Sequence, residues 1–102
     1  MIHQYEGTYG YSDAVVRGWN SNAIGVYYCG YVTADNNLSV LYIGKGAGTG
    51  GMQERLLYHL QSENWPDVSC FGYCRCDTVS EAKNWETEEI ARYRPKYNEQ
   101  GK

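Results

Sequence analysis

Long apolar runs and an excess of basic residues are both missing from this chain of 102 residues. No run of 18 or more apolar residues occurs, so we predict neither a membrane span nor a membrane partner. The N-terminus has no basic segment followed by an apolar one, which argues against a secretory signal, and we expect a soluble, cytoplasmic protein. The formal net charge is −3, so a polyanionic partner would have to be bound by a local basic patch.

The spacing of the cysteines matches no paired metal-binding motif. The four cysteines are Cys29, Cys70, Cys74 and Cys76. In an intracellular protein we expect free, buried thiols rather than disulfides. A zinc site with Cys29 as the fourth ligand is the alternative, but the absence of a CxxC pair argues against it.

Tyrosine is abundant, with eleven residues against one phenylalanine, and tyrosine suits half-buried sheets as well as binding surfaces. Branched and aromatic residues predict strands over residues 23–33, 38–43 and 68–77. Helices are predicted over residues 52–62 and 79–94. Together these elements predict a small α/β (α+β) domain, in which helices flank a three-stranded antiparallel sheet.

The chain is predicted to divide into an N-terminal extension, residues 1–22, and a folded domain, residues 23–102. The extension is expected to hold only a short helix over residues 13–19, which Ser12 can cap. Thr78 and Glu81 fit a capping box at the start of the last helix, which must end before the proline at position 95.

A strand that stops at glycine organises the predicted site. Residues 44–51 hold five glycines, so we expect a loop there that leaves Tyr42 and Lys45 at a sheet edge, near the start of a helix. Residues 46–51 also match the G-x-G-x-x-G pattern of dinucleotide sites, which makes a nucleotide-binding protein one alternative. That pattern requires a parallel βαβ unit, whereas the strand before this loop is half of a hairpin.

Two predicted helices carry charged residues at positions that suggest function. Arg55 and His59 are four residues apart, so they can point at the same object. Glu86 falls between Ala82 and Ile90 on the predicted buried face of its helix. A lone carboxylate there is costly unless it pairs with a cation or binds a metal. A structural pair with Lys45 or Arg55 is therefore the simpler alternative.

Five elements taken in order resemble the GIY-YIG nuclease family. They are Gly25-Val26-Tyr27, Tyr42-Ile43-Gly44, Arg55, Glu86 and Asn98, the last within a Pro-Lys-Tyr-Asn tail. The resemblance covers residues 24–98. In that family the two triplets lie on the first two strands, the arginine on the next helix, and a metal-binding glutamate on a later helix. Any one element alone is a weak signal, whereas the ordered set is specific.

The resemblance implies an endonuclease that hydrolyses phosphodiester bonds of nucleic acid, with DNA favoured over RNA. Tyr27 would be the first choice of general base and Tyr42 the second, because a phenol beside a cation can ionise more easily. His59 would relay the proton. Arg55 and Lys45 would hold the phosphate and neutralise its developing charge.

The resemblance also implies one divalent cation, Mg²⁺ or Mn²⁺, bound by Glu86. The residues expected to bind nucleic acid are Lys45, Arg92, Lys96 and Asn98. A separate targeting protein or a second copy of the chain is the expected further partner. The alternative function is a non-catalytic module of the same fold that binds nucleic acid or protein.

Overall fold

The computed structural model of this protein describes residues 2–19, 22–48, 50–62 and 65–99. Its elements are β1 (Glu6–Gly10), α1 (Asp13–Gly18), β2 (Gly25–Val32), β3 (Leu38–Gly46), α2 (Gly51–Ser62), β4 (Cys70–Arg75), α3 (Val79–Tyr93) and α4 (Lys96–Glu99). The strands form one antiparallel sheet in the order β1-β4-β2-β3. The fold is therefore α+β, with helices on both faces of a four-stranded sheet.

The expectation of three strands is wrong, because β1 adds a fourth beside β4. All five residues of β1 are exposed, so this segment lacks the alternation of apolar and polar residues that predicts a strand. Its pairing depends on a close approach at two glycines, since a Cβ on Gly7 would lie only 2.8 Å from the Cα of Gly72. Part of the predicted N-terminal extension thus belongs to the sheet.

The predicted hairpin is confirmed, but β3 is longer than expected. The strand continues through Gly44, Lys45 and Gly46, which pair with Tyr27, Val26 and Gly25 of β2. The expectation that a loop begins at position 44 is wrong for a steric reason. A Cβ on Gly46 would overlap the backbone of Met52 at the start of α2, so this glycine allows a helix to pack against a strand end.

Each face of the sheet has its own core. The face covered by α1 and α2 buries Tyr27, Met52, Leu56 and Phe71 with their neighbours. Gln53 ties these two helices together, because its amide donates to the carbonyl of Val16 (2.9 Å). This packing fixes α2, and with it the two candidate residues that the helix carries.

The opposite face, covered by α3, buries Val26, Ile43 and Ala82 with their neighbours. Cys74 and Cys76 also lie on this face, whereas Cys29 belongs to the other core. The sheet therefore separates Cys29 from Cys74 and Cys76, so the alternative prediction of a zinc site with Cys29 as the fourth ligand is wrong. All four are free thiols in this structure.

The three predicted helices are confirmed to within one residue at each end, whereas the short α4 was not predicted. Thr78 Oγ1 accepts a hydrogen bond from the backbone of Glu81 (3.1 Å) and so caps α3. At its other end Arg94 adopts a left-handed conformation with φ of 47°, and Pro95 prevents a further turn. Across the described ranges, no helix has the length and hydropathy needed to cross a membrane.

Candidate active site

Tyr27 lies at the centre of the predicted site. It projects from β2 opposite Gly44 of β3 and is completely buried. A Cβ at position 44 would lie 2.5 Å from the Tyr27 hydroxyl, so only glycine lets the phenol lie over the edge strand. The hydroxyl has no hydrogen-bond partner within the described part of the chain. The glycine that ends the second triplet therefore creates the space that the tyrosine of the first triplet occupies.

Electrostatic effects show which other candidates lie near this hydroxyl. Burial raises the pKa of Tyr27 far above its usual value, and Tyr42 raises it further. Arg55 opposes the rise, whereas Glu86 adds to it. Because charge interactions weaken with distance, all three groups lie close enough to influence one phenol. Tyr27 and Tyr42 belong to the core on the α2 face, whereas Glu86 lies on α3, which covers the opposite face, and acts on the Tyr27 hydroxyl through its charge. We call Tyr27, Tyr42, Lys45, Arg55 and Glu86 the edge site.

Glu86 and Lys45 form an ion pair in the edge site. Lys45 Nζ lies 3.6 Å from Glu86 Oε1, and the two side chains are 36% and 20% exposed. The carboxylate is thus half-buried and paired rather than isolated. A pair with this exposure contributes at most about 1 kcal/mol to stability. The ion pair with Lys45 therefore gives Glu86 only a small role in stabilising the fold.

Arg55 is exposed on α2. Its guanidinium lies 5.1 Å from the centre of the Tyr58 ring, and its charge lowers the pKa of both Tyr27 and His59. Because the Arg55 guanidinium is exposed, it can contact a ligand from solvent. Its charge also acts on the buried Tyr27 and His59 side chains.

His59 is buried among aromatic rings. Its ring centre lies 4.9 Å from that of Tyr42, 5.2 Å from that of Trp65 and 6.1 Å from that of Tyr27. Neither ring nitrogen has a hydrogen-bond partner among the residues described. Burial, aided by the nearby Arg55 charge, lowers the pKa of His59 to about 4. The imidazole is therefore neutral at pH 7 and able to accept a proton.

Three residues expected to bind nucleic acid have other contacts. Arg92 lies 3.8 Å from Glu89 Oε2, and Lys96 donates to Asp67 Oδ2 (3.2 Å). The Asn98 amide accepts from the backbone N–H of Ile43 (2.7 Å) and donates to its carbonyl (2.8 Å). Asn98 therefore pairs with the outer edge of β3 as another strand would. Of the four predicted binding residues, Lys45 is the one for which a contact within the edge site is observed.

The residues of the edge site fit a divalent cation only in part. No group of three or more potential metal ligands occurs among the described side chains. Magnesium nevertheless commonly uses one or two carboxylates, with water and substrate phosphate completing its shell. Glu86 can supply one carboxylate oxygen, so the remaining ligands would come from solvent and substrate.

Sequence reasoning missed two features near the candidate residues. Trp65 stacks on His59 at an interplanar angle of 26°. This tryptophan lies after α2 and belongs to no sequence motif or periodic pattern. Glu89, rather than Glu86, is the deeply buried carboxylate of α3, with 5% of its surface exposed. Both positions are decided by contacts between elements, which helical periodicity alone does not specify.

No protein-family model, no curated protein and no solved structure matches this chain. The resemblance to GIY-YIG nucleases therefore depends on the residues themselves and on their arrangement.

Proposed function

We propose that this protein is a metal-dependent endonuclease that hydrolyses phosphodiester bonds of nucleic acid, with DNA favoured. The observation that carries the proposal is that the Tyr27 and Tyr42 rings pack together, with ring centres 6.3 Å apart, while Arg55 and Glu86 both act on the pKa of the buried Tyr27 hydroxyl. These groups come from four separate elements. Phosphodiester hydrolysis needs a cationic clamp, a proton acceptor and help for the leaving oxygen, and this set offers a group for each.

Arg55 and Lys45 are the proposed phosphate ligands. Arg55 is exposed on α2 and Lys45 is 36% exposed on β3, so both can reach a polyanion from solvent. A guanidinium binds phosphate through paired N–H groups, and an ammonium adds a point charge. A divalent cation held by Glu86, when bound, would supply further neutralisation of the phosphoryl and leaving oxygens.

Tyr42 and His59 are the proposed proton-transfer pair. The Tyr27 hydroxyl is shielded from solvent and its pKa is raised by burial, so it acts as a neutral phenol that shapes the site. Tyr42 is half-buried and so can touch the attacking water. Its ring packs on the neutral His59 at 4.9 Å between ring centres. Tyr42 would take the proton from the water, and a turn of the His59 ring would be needed to bring a nitrogen to the Tyr42 hydroxyl, since neither nitrogen has a hydrogen-bond partner among the described residues.

The test is cleavage of supercoiled plasmid with Mg²⁺ or Mn²⁺, compared with the same reaction in chelator. We expect Arg55→Ala and Glu86→Gln to reduce the rate by about 10²–10³-fold, because each removes charge stabilisation in the transition state. Arg17→Ala on α1 and Glu88→Gln on α3 make the same charge changes at exposed positions. These controls should keep the wild-type rate. Cleavage that persists unchanged in Glu86→Gln would contradict the proposed role of that residue.

A non-catalytic binding module of the same fold is the second candidate. The observation that favours it is the ion pair between Lys45 and Glu86, which satisfies both charges without any ligand. Binding of duplex or single-stranded DNA in a gel-shift assay, without cleavage in either metal, would support the module over the enzyme. Loss of this binding in Arg55→Ala but not in Arg17→Ala would place the contact at the edge site.

A further inference from the structure

A cavity of about 740 Å³ lies on the α3 face of the sheet, and none of the edge-site residues lines it. Its walls include Tyr5, Tyr28, Trp85 and Tyr93, with Glu89 among them. We call it the aromatic cavity. Its volume is in the range of small-molecule sites. Neither the resemblance nor the proposed reaction uses this space.

The carboxylate of Glu89 is held in place inside this cavity. The indole N–H of Trp85 donates to the Tyr28 hydroxyl (2.9 Å), which in turn donates to Glu89 Oε1 (2.8 Å). The Glu89 side chain is 7% exposed, whereas that of Arg92, whose guanidinium lies 3.8 Å from Oε2, is 69% exposed. Burying a carboxylate is costly unless its charge is balanced. An exposed guanidinium beyond hydrogen-bond distance balances it only weakly.

The rings around Glu89 are themselves suited to a cation. Tyr5 meets Tyr28 edge to face, with ring centres 5.8 Å apart. Arg92, which does not line the cavity, places its guanidinium 5.4 Å from the centre of the Tyr93 ring, so one ring of the cavity already contacts a cation. Aromatic faces attract cations through their quadrupole, most strongly where water is excluded. A carboxylate and several rings around one space therefore favour positive charge.

We propose that the aromatic cavity binds an organic cation whose head group is a quaternary or methylated ammonium. A bare metal ion fits poorly, because no group of three or more metal-ligating side chains occurs among the described residues. A methylated ammonium suits a carboxylate among rings, because its methyl groups can pack against the aromatic faces while its charge faces Glu89. Asn36 and Asn37 line the same cavity and offer polar contacts to the rest of the ligand.

The test uses choline and its neutral isostere 3,3-dimethyl-1-butanol, which has the same shape without the charge. We expect choline to shift the indole N–H resonance of Trp85 saturably, and the neutral compound to bind at least about ten-fold more weakly. Equal affinity for the two compounds would show a merely apolar cavity and overturn the proposal. Absence of saturable binding by choline would overturn it as well.

Variants separate the carboxylate from general effects of charge. Glu89→Gln keeps an acceptor for Tyr28 but removes the charge, so choline affinity should fall about ten-fold. Glu88→Gln removes an exposed charge from the same helix and should leave the affinity unchanged. Arg92→Gln removes the competing guanidinium, so it should bind choline more tightly, and it remains informative if Glu89→Gln fails to fold. Unchanged affinity in Arg92→Gln and in folded Glu89→Gln would overturn the proposal.

Discussion

The two faces of the sheet differ in whether their buried polar groups have hydrogen-bond partners. On the α2 face the Tyr27 hydroxyl and both nitrogens of His59 are buried without hydrogen-bond partners in the described residues. On the α3 face, Glu89 is equally buried, yet it accepts from Tyr28, which accepts from Trp85. Buried polar groups are normally satisfied, and an unsatisfied one is costly. The first face thus holds buried polar groups without a partner among the described residues, whereas the second holds a charge that hydrogen bonds position.

Adjacent tyrosines of β2 allow the sharpest test of this comparison. Tyr28→Phe removes the hydroxyl between Trp85 and Glu89 and leaves a buried carboxylate without its donor. We expect a loss of about 2–3 kcal/mol in the free energy of unfolding, measured with urea. Tyr27→Phe removes a buried hydroxyl that has no partner, so its stability should change by less than about 0.5 kcal/mol, or rise slightly. Similar losses in both variants would mean that the two faces do not differ in this way.

The pH dependence of stability tests the second buried group of the α2 face. The pKa of His59 is about 4 when folded, against 6.5 for an exposed histidine. Between these values the unfolded chain binds a proton that the folded chain does not. Stability should therefore be intact above about pH 6.5 and fall as the pH drops towards 4, with a loss of roughly 2.5 kcal/mol at pH 4.5 from this residue.

His59→Phe keeps a ring in the aromatic cluster but cannot be protonated. Urea unfolding at pH 7 and pH 4.5 should therefore show a smaller acid loss in the variant than in the wild type. Carboxylates titrate in both proteins, so the difference between the two proteins isolates the histidine. Equal acid losses would show that folded His59 is accessible and takes up its proton near the usual pH.

The three longer helices, α1, α2 and α3, could be predicted because their signals are local. Ser12 and Thr78 supply side-chain caps and Pro95 blocks a further turn, all within a few residues of the helix ends. The first strand could not be predicted, because β1 has no buried residue and is defined by its pairing with β4. Gly44 and Gly46 look like loop residues in the sequence, whereas in the fold they provide space for Tyr27 and Met52.

The membership of the candidate site stays a prediction, and the environments of its residues could not be predicted from the sequence. The ordered triplets with Arg55 and Glu86 named residues that, in the fold, affect the pKa of the Tyr27 hydroxyl. Sequence spacing could not show that Tyr27 is fully buried or that Glu89 is the deeper carboxylate of α3. Burial depends on which strand lies beneath each side chain, and that is a property of the sheet order. Cleavage and metal binding stay predictions.

The smallest expected effect concerns the ion pair between Lys45 and Glu86. A double-mutant cycle with Lys45→Gln and Glu86→Gln should give a coupling free energy below about 1 kcal/mol, because both side chains retain contact with water. The exposed pair of Asp13 and Arg17, four residues apart on α1, is a matched control, with an expected coupling of about 0.3–0.5 kcal/mol. A weak coupling leaves Glu86 available for a metal and Lys45 for a phosphate, as the endonuclease proposal requires. A coupling above about 2 kcal/mol would be typical of a desolvated structural pair, and it would favour the non-catalytic module, in which these charges serve the fold.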